Sequence, residues 1–320
     1  MGSRAVVLGG GGPVGIAWES GLVAGLAQAG CDLAQADFTM GTSAGSFVGA
    51  RLALGHDPKT LADPIIADRV PGDESRPRNA ATSTSAAPPD LSKLMTLMAE
   101  AQSGTRNPAE VRAEIGAWAM SQPTMSEDAF IESFGRSFAS LAESAWPERG
   151  YACTAVDAET GAFQLWTKDA GVGVVRAVAS SCSVPGIYPP VTLKGRRYID
   201  GGMRSSTNAD MAAGHDLIVV VALRLGPPDA QAHRAPLASR STPSGGGLGG
   251  ALGDRIAKAL DEEVETLQGG GSTVITITPD EASIAAFGAN LMDFRRRPGA
   301  AKAGLAQGQA YAAQLAPFWS

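Results

Sequence analysis

A serine with a glycine two positions to either side is the sequence feature best suited to covalent chemistry. Ser43 lies between Gly41 and Gly45 in a Gly-Thr-Ser-Ala-Gly run, which has the G-x-S-x-G pattern of a nucleophile elbow. In such an elbow the serine occupies a sharp turn from a strand to a helix, and the glycines leave room for closely packed backbone. Residues 38–40 can end a buried strand, and residues 46–54 have helical spacing. The pattern predicts a serine nucleophile; an incidental serine in a glycine-rich loop is the alternative interpretation.

Asp200 is a carboxylate that can activate this serine. A serine hydroxyl is a poor nucleophile until a base removes its proton, and a carboxylate within hydrogen-bond reach can be that base. Residues 197–199 have strand character, so Asp200 is predicted to stand at the end of a strand. Gly201 lets the backbone turn there and leaves space beside the serine. An ordinary Asp-Gly turn is the alternative interpretation of these residues.

Histidine is the other residue type that commonly activates a serine. Together with the serine and the aspartate, His215 copies the chain order of an α/β-hydrolase triad. His215 directly precedes a predicted strand at 217–223 and should therefore lie at the amino end of that strand, whereas sites in such sheets lie at the carboxyl ends. His56 is predicted beyond the nucleophile helix and His233 in a low-complexity stretch. All three histidines are therefore predicted to be surface or structural residues.

A glycine run near the N-terminus can supply main-chain donors. Residues 5–8 predict a short buried strand, and a helix is predicted over residues 16–29. A glycine loop between a strand and a helix turns backbone N–H groups towards an anion. Gly10, Gly11 and Gly12 are therefore predicted to form an oxyanion hole.

The same run also fits a dinucleotide-binding fingerprint. Gly10, Gly12 and Gly15 satisfy G-x-G-x-x-G, and Asp32 lies near the usual distance for a ribose-binding acid. That acid normally closes a second strand, yet Asp32 follows residues 27–30, which are typical of a helix end. The fingerprint alone is a weak signal.

The composition limits the classes of function. With 320 residues, 44% hydrophobic and 18% charged, the chain is typical of a folded soluble protein. Its formal net charge of −6 offers no basis for a nucleic-acid partner. Cys31, Cys153 and Cys182 are isolated and no C-x-x-C spacing occurs, so neither a zinc site nor a disulfide framework is suggested. No metal or cofactor is expected. No secretory signal or membrane-length apolar run is found, and we expect a cytoplasmic protein.

The order of the predicted elements favours one α/β domain over residues 1–320, with a central, mostly parallel sheet and helices on both faces. Residues 71–89 are predicted to be a mobile loop, and the glycine-rich stretch 226–253 a disordered insertion. The amphipathic helix predicted at 91–101 is either a lid over a lipid-sized pocket or an ordinary core-facing helix. The aromatic stripe at 130–141 is predicted to be core.

Four blocks, in order along the chain, resemble the patatin-like phospholipases. The glycine run is similar to the family's G-G-G-x-[RK]-G, the serine turn to its nucleophile elbow, and two later blocks to its A-S-x-x-x-P and D-G-[GA]. These blocks are Gly10-Gly11-Gly12-Pro13-Val14-Gly15, Gly41 to Gly45, Ser180-Ser181-Cys182-Ser183-Val184-Pro185 and Asp200-Gly201-Gly202. Two positions depart from the family: Val14 replaces an Arg or Lys, and Ser180 replaces an Ala.

The resemblance implies a Ser43–Asp200 dyad that hydrolyses lipid or other carboxylic acyl esters through an acyl-enzyme. The implied partner is the lipid or acyl-ester substrate, with transient contact to a membrane surface. Three alternatives stay open on the sequence alone: an acyltransferase with the same dyad, a non-catalytic lipid-binding module, and a dinucleotide-binding oxidoreductase. Labelling of Ser43 by a fluorophosphonate separates an enzyme from a binding module.

Overall fold

The computed structural model describes residues 2–68, 90–102, 105–138, 141–224 and 248–319. Its strands are β1 Arg4–Leu8, β2 Phe38–Gly41, β3 Gly150–Asp157, β4 Phe163–Trp166, β5 Val191–Leu193, β6 Arg196–Asp200, β7 Leu217–Val221 and β8 Thr273–Ile277. Its helices are α1 Gly12–Gln28, α2 Ala44–Ala53, α3 Asp63–Ile66, α4 Ser92–Gln102, α5 Pro108–Ser121, α6 Glu127–Gly135, α7 Val174–Ser181, α8 Leu248–Gly269, α9 Glu281–Phe287 and α10 Arg297–Trp319.

One sheet organises the described residues. Eight strands pair in the order β5-β6-β3-β2-β1-β7-β8, with β4 paired to β3. Strand β1 lies between β2 and β7, and the pairs β1–β2, β1–β7, β2–β3 and β7–β8 are parallel. The pairs β3–β4, β3–β6 and β5–β6 are antiparallel. The predicted mostly parallel sheet is therefore confirmed, with its antiparallel part at one side.

The central strand β1 shows that both faces of the sheet are covered. Val6 and Leu8 pack in one core cluster with residues of α1 and α10, whereas Ala5 and Val7 pack in another with Leu260 of α8. Successive side chains of a strand point to opposite faces, so a strand that is apolar at every position is buried on both. The prediction of helices on both faces is confirmed.

Helix α10 lies against α1 at very close range. A Cβ on Gly21 or Gly25 of α1 would collide with main-chain atoms of α10, and a Cβ on Gly304 or Gly308 of α10 would collide with main-chain atoms of α1. Four glycines therefore let the two backbones approach where any side chain would hold them apart. The last helix is thus joined to the helix that follows the glycine loop.

Of the two segments predicted to be irregular, only the end of the second lies among the described residues. The predicted mobile loop 71–89 lies outside the described residues, as does 226–247 of the predicted insertion. Residues 248–253 form the start of α8, so the prediction of disorder is wrong there. The physical reason is that the apolar stripe later in α8, which includes Leu260 and Leu267, is buried against the sheet and helix formation propagates from it.

Candidate active site

Ser43 lies on a sharp turn between β2 and α2. Its backbone has φ 52° and ψ −115°, a conformation that a residue with a side chain rarely adopts. A Cβ on Gly41 would collide with the carbonyl of Gly45, and a Cβ on Gly45 would collide with the carbonyl of Leu8. The two glycines therefore allow the turn to pack against β1, which is the local geometry predicted from the G-x-S-x-G pattern.

Asp200 meets Ser43 at the end of β6. The Ser43 hydroxyl donates a hydrogen bond to Asp200 Oδ2 at 2.6 Å, across 157 residues of sequence. The other carboxylate oxygen accepts the Gly202 N–H at 2.7 Å. Ser43 is 7% exposed and Asp200 2% exposed, so the pair is largely shielded from water. A Cβ on Gly201 would collide with Thr154, which explains a glycine directly after the acid.

Burial gives this carboxyl an unusual basicity. Loss of hydration raises the pKa of Asp200 from 3.8 to about 7, and the hydrogen bonds from Ser43 and Gly202 oppose this rise. A carboxylate of that pKa accepts a proton more readily than an exposed aspartate does. The site therefore contains a serine hydroxyl that is hydrogen-bonded to a carboxylate whose pKa is close to neutral pH.

The glycine loop between β1 and α1 supports only part of the predicted oxyanion hole. The Gly10 N–H donates to the Ser206 carbonyl at 2.7 Å, which contradicts the prediction for Gly10 because this donor is already engaged. The N–H groups of Gly11 and Gly12 have no partner among the described residues. Gly12 has φ +58°, which glycine adopts without strain, and it lines a cavity together with Ser43.

Ala44 is a further main-chain donor that the sequence analysis missed. It is the first residue of α2, it lines the same cavity as Ser43, and within the described ranges its N–H has no partner. The available signal was its position, since the residue after an elbow serine commonly supplies an oxyanion donor.

Val14, which stands where the resembled family carries Arg or Lys, is a core residue here. Its side chain is fully buried in the cluster formed by β1, α1 and α10, and its N–H donates to the Leu291 carbonyl at 3.1 Å. A cation at this position would lose its hydration. Val14 therefore contributes to the packing of the core.

The last residue of α7 and the two residues after it contact Ser43 and Asp200. Ser181 Oγ accepts the Ser43 N–H at 2.9 Å, and Cys182 Sγ donates to the Ser43 carbonyl at 3.1 Å. The Asp200 N–H donates to the Ser183 carbonyl at 3.0 Å. The sequence analysis found this segment as a motif and gave it no role.

Asn208 connects the two turns from the other side. Its buried side-chain amide donates to Thr42 Oγ1 at 3.0 Å and to the Ser205 carbonyl at 2.7 Å. Its Oδ1 accepts from Arg204 at 2.8 Å, and Arg204 in turn pairs with Asp210. The residue before Ser43 is thereby tied to the loop after Asp200.

A cavity of about 630 Å³ opens above Ser43. Apolar side chains form much of its lining, among them Ile16, Phe47, Phe130, Phe134, Met292 and Phe294. The aromatic stripe of α6, predicted to be core, therefore has a second role as cavity wall. Helix α4 does not line this cavity: Leu94 and Leu97 are buried against α5 and Ile199, which favours the core-facing interpretation over the lid.

His215 and Asp32 lie away from Ser43. His215 stacks on Phe38, at the first position of β2, with ring centroids 5.3 Å apart, whereas Ser43 follows the last position of that strand. His56 follows the far end of α2, and His233 lies outside the described residues. The Asp32 carboxylate accepts the Ala34 N–H at 2.9 Å before β2 begins, so it does not close a second strand.

The described residues contain no cluster of three or more His, Cys, Asp or Glu that could hold a metal ion. In the same ranges, no helix has the length and apolar character needed to span a bilayer.

A family model and several solved structures match this chain. A family model described as patatin-like phospholipase matches residues 6–213. No match was found among curated proteins. The crystal structure of VipD from Legionella pneumophila matches with 12% identity and a TM-score of 0.42, over 98% of this chain and 67% of that one. The type III effector protein ExoU matches with 16% identity and a TM-score of 0.37, over 98% of this chain and 53% of that one. This chain thus spans about half the length of ExoU.

Proposed function

Since this chain belongs to the patatin-like phospholipase family, and is accordingly a lipid acyl hydrolase that cleaves ester bonds, we propose that Ser43 is its nucleophile and Asp200 its general base. The observation that carries the proposal is the 2.6 Å hydrogen bond from the Ser43 hydroxyl to a buried carboxylate whose pKa is raised to about 7. No histidine lies in this arrangement among the described residues, so the carboxylate has the role that imidazole fills in a triad.

The proposed reaction has two halves. Asp200 takes the hydroxyl proton while Ser43 Oγ forms a bond to the ester carbonyl carbon. The tetrahedral intermediate collapses, the bond to the alcohol oxygen breaks, and Asp200 returns the proton to that oxygen. Water then loses a proton to Asp200 and attacks the acyl-enzyme; the bond to Ser43 Oγ breaks, the proton returns to Ser43, and a carboxylic acid leaves.

The negative charge of the intermediate requires fixed donors. We assign the N–H groups of Gly12 and Ala44 to this role because both residues line the cavity with Ser43 and both donors lack partners in the described part of the chain. The Gly11 N–H, also without a partner there, is the third candidate. One such donor typically contributes about 3 kcal/mol to the stability of the transition state.

The apolar lining of the cavity supports the proposal that it holds the acyl chain of the substrate. Phe47 and Phe134 lie in the wall of a cavity of about 630 Å³, which suits a hydrocarbon chain attached to the ester carbonyl at Ser43. The dinucleotide alternative loses its support, since Asp32 caps a turn and the glycine loop adjoins the serine.

The outer end of the cavity suits contact with a lipid surface. Met125 and Phe294 line the cavity, yet they are 50% and 57% exposed. Arg297 also lines the cavity, with its guanidinium 5.7 Å from the centroid of the Phe294 ring and 3.4 Å from the Asp68 carboxylate. Apolar and basic groups therefore stand together at this rim, which we define as Met125, Phe294 and Arg297. The rim matches an apolar interior covered by anionic headgroups, and we propose it as the point of transient membrane contact.

The test of the proposed dyad uses p-nitrophenyl esters of graded chain length and defined phospholipids. Ser43→Ala is expected to abolish hydrolysis and fluorophosphonate labelling while the melting temperature stays close to the wild type. Product analysis separates a free acid from an acyl group transferred to an added alcohol, and the second product would establish the acyltransferase alternative. Retained turnover in Ser43→Ala would show that another residue is the nucleophile.

A further inference from the structure

The proposed dyad is joined by three consecutive residues, 181–183, which we name the clamp segment. Ser181 and Cys182 hold the main-chain N–H and carbonyl of Ser43, and the Ser183 carbonyl holds the N–H of Asp200. We propose that the clamp segment sets the distance between nucleophile and base, with Ser181 as its principal positioning residue. This inference rests on the proposed function.

The backbone of Ser43 needs such support. Its positive φ costs about 1 to 3 kcal/mol, and a conformation of that kind persists only where surrounding contacts determine it. Two side chains bind the Ser43 carbonyl, since Ser46 Oγ donates to it at 2.6 Å as Cys182 does from the other side. The Ser43 N–H has a single side-chain acceptor, Ser181 Oγ. Without the Ser181 hydroxyl the Ser43 N–H would therefore have no other side-chain acceptor among the described residues. Without Cys182 the Ser43 carbonyl would still accept from Ser46.

The clamp segment is itself fixed at both ends. It begins at the last residue of α7, and Ala177, Val178 and Ala179 of that helix are fully buried against the sheet. At its other end Ser183 Oγ donates to the Pro189 carbonyl at 2.7 Å. If Ser43 moves relative to Asp200, hydrogen bonds from the clamp segment must break, because the segment itself is anchored. This arrangement holds the hydroxyl and the carboxylate at 2.6 Å although they are distant in sequence.

Ser180 provides a matched control. Its hydroxyl accepts the Trp166 Nε1–H at 3.0 Å and donates to the Ala177 carbonyl at 2.7 Å, without touching either member of the dyad. Ser180 and Ser181 are adjacent and both fully buried. Each alanine substitution deletes one hydroxyl and leaves one buried N–H without its acceptor, so the two variants should lose similar stability.

The experiment compares Ser181→Ala with Ser180→Ala on a soluble p-nitrophenyl ester. For Ser181→Ala we expect kcat to fall about tenfold or more, by the cost of an unsatisfied N–H at the reacting residue, with KM unchanged because Ser181 does not line the cavity. Fluorophosphonate labelling of Ser43 should slow by a similar factor. Ser180→Ala should keep kcat within about twofold of the wild type, since its lost bonds are remote from the reacting atoms.

Ser181→Cys guards against failure of the alanine variant to fold. It keeps the size of the side chain and a weaker acceptor, so its kcat should lie between those of the wild type and Ser181→Ala. Wild-type kcat in folded Ser181→Ala or Ser181→Cys, or equal losses in Ser180→Ala and Ser181→Ala, would overturn the positioning role. Ser43-dependent hydrolysis by the wild type would stand in either case, so the proposed function is judged separately.

Discussion

The two ends of the cavity are built differently. At the inner end Ser43 and Asp200 are almost fully buried, and their side chains and main-chain groups are held by several hydrogen bonds. At the outer end Met125 and Phe294 present about half of their surface to solvent. The geometry is thus fixed at the proposed site of bond cleavage and left open at the proposed entrance for the substrate. Preorganisation is needed at the first place and tolerance of varied lipids at the second.

Removal of the base is the strongest way to break the inner end. Asp200→Asn keeps the shape of the side chain and removes its capacity to accept a proton. We expect kcat to fall about ten-thousandfold, as in other activated serines that lose a member of the catalytic set. His215→Ala, the control, should keep most activity because His215 lies near the opposite end of β2. If Asp200→Asn were active and His215→Ala inactive, the proposed dyad would be wrong, and a triad that includes His215 would take its place.

The pKa of Asp200 predicts how the inner end responds to pH. Because Asp200 must be ionised to act as a base and its pKa is raised to about 7, kcat/KM on a soluble ester should fall about tenfold per pH unit below 7 and reach a plateau above it. A profile measured from pH 5 to 9 that stays flat would contradict this assignment.

The same pKa has a consequence for stability. The folded protein keeps the Asp200 proton up to about pH 7, whereas the unfolded chain releases it near the ordinary value of 3.8. The contribution of Asp200 to stability is therefore complete below pH 4 and is lost as the pH rises through 7. Asp200→Asn should consequently melt above the wild type at pH 8, with a smaller difference at pH 5. Calorimetry at the two pH values measures this difference.

A change at the outer end should have a smaller and more selective effect. In a Ser43→Ala background, which leaves lipids intact, Phe294→Ser should weaken binding to phosphatidylcholine vesicles containing phosphatidylglycerol about fivefold, through partial loss of apolar burial. Hydrolysis of p-nitrophenyl acetate, whose acyl group is too short to extend to the outer end of the cavity, should stay near the wild-type rate in Phe294→Ser with Ser43 intact.

Phe318 provides the control for this prediction. It is 53% exposed, against 57% for Phe294, but it does not line the cavity. Phe318→Ser should therefore bind vesicles as the parent does in co-sedimentation. Equal weakening by both substitutions would show that exposed aromatic surface in general, rather than the rim, makes the contact.

Local motifs made part of this site predictable. The spacing of Gly41, Ser43 and Gly45 determines a turn within five residues, and Asp200-Gly201 determines the end of β6. The contact between Ser43 and Asp200 was predicted from the order of the motif blocks and not from the periodicity of the sequence. Contacts that join distant segments carried no such signal: the Gly10 N–H is engaged by Ser206, and Ser181 reaches Ser43 across 138 residues.

The tail of the chain was the least predictable part of the fold. The family match ends at residue 213, and the sequence beyond the last motif block resembled nothing familiar. The helix pair was nevertheless signalled by small residues at matching spacing, since Gly21 and Gly25 face Gly304 and Gly308. We propose that the domain continues through α10 because α1 has no other cover for this surface in the described chain.

The contact between α1 and α10 also determines when the fold can be completed during synthesis. Helix α1 leaves the ribosome long before α10, yet the surface carrying Gly21 and Gly25 is closed by residues of Arg297–Trp319. Contacts so distant in sequence form late, after a large loss of chain entropy. The glycine loop at the start of α1 therefore gains its final support only after α10 has been made. We expect the proposed site to stay incompletely formed until then.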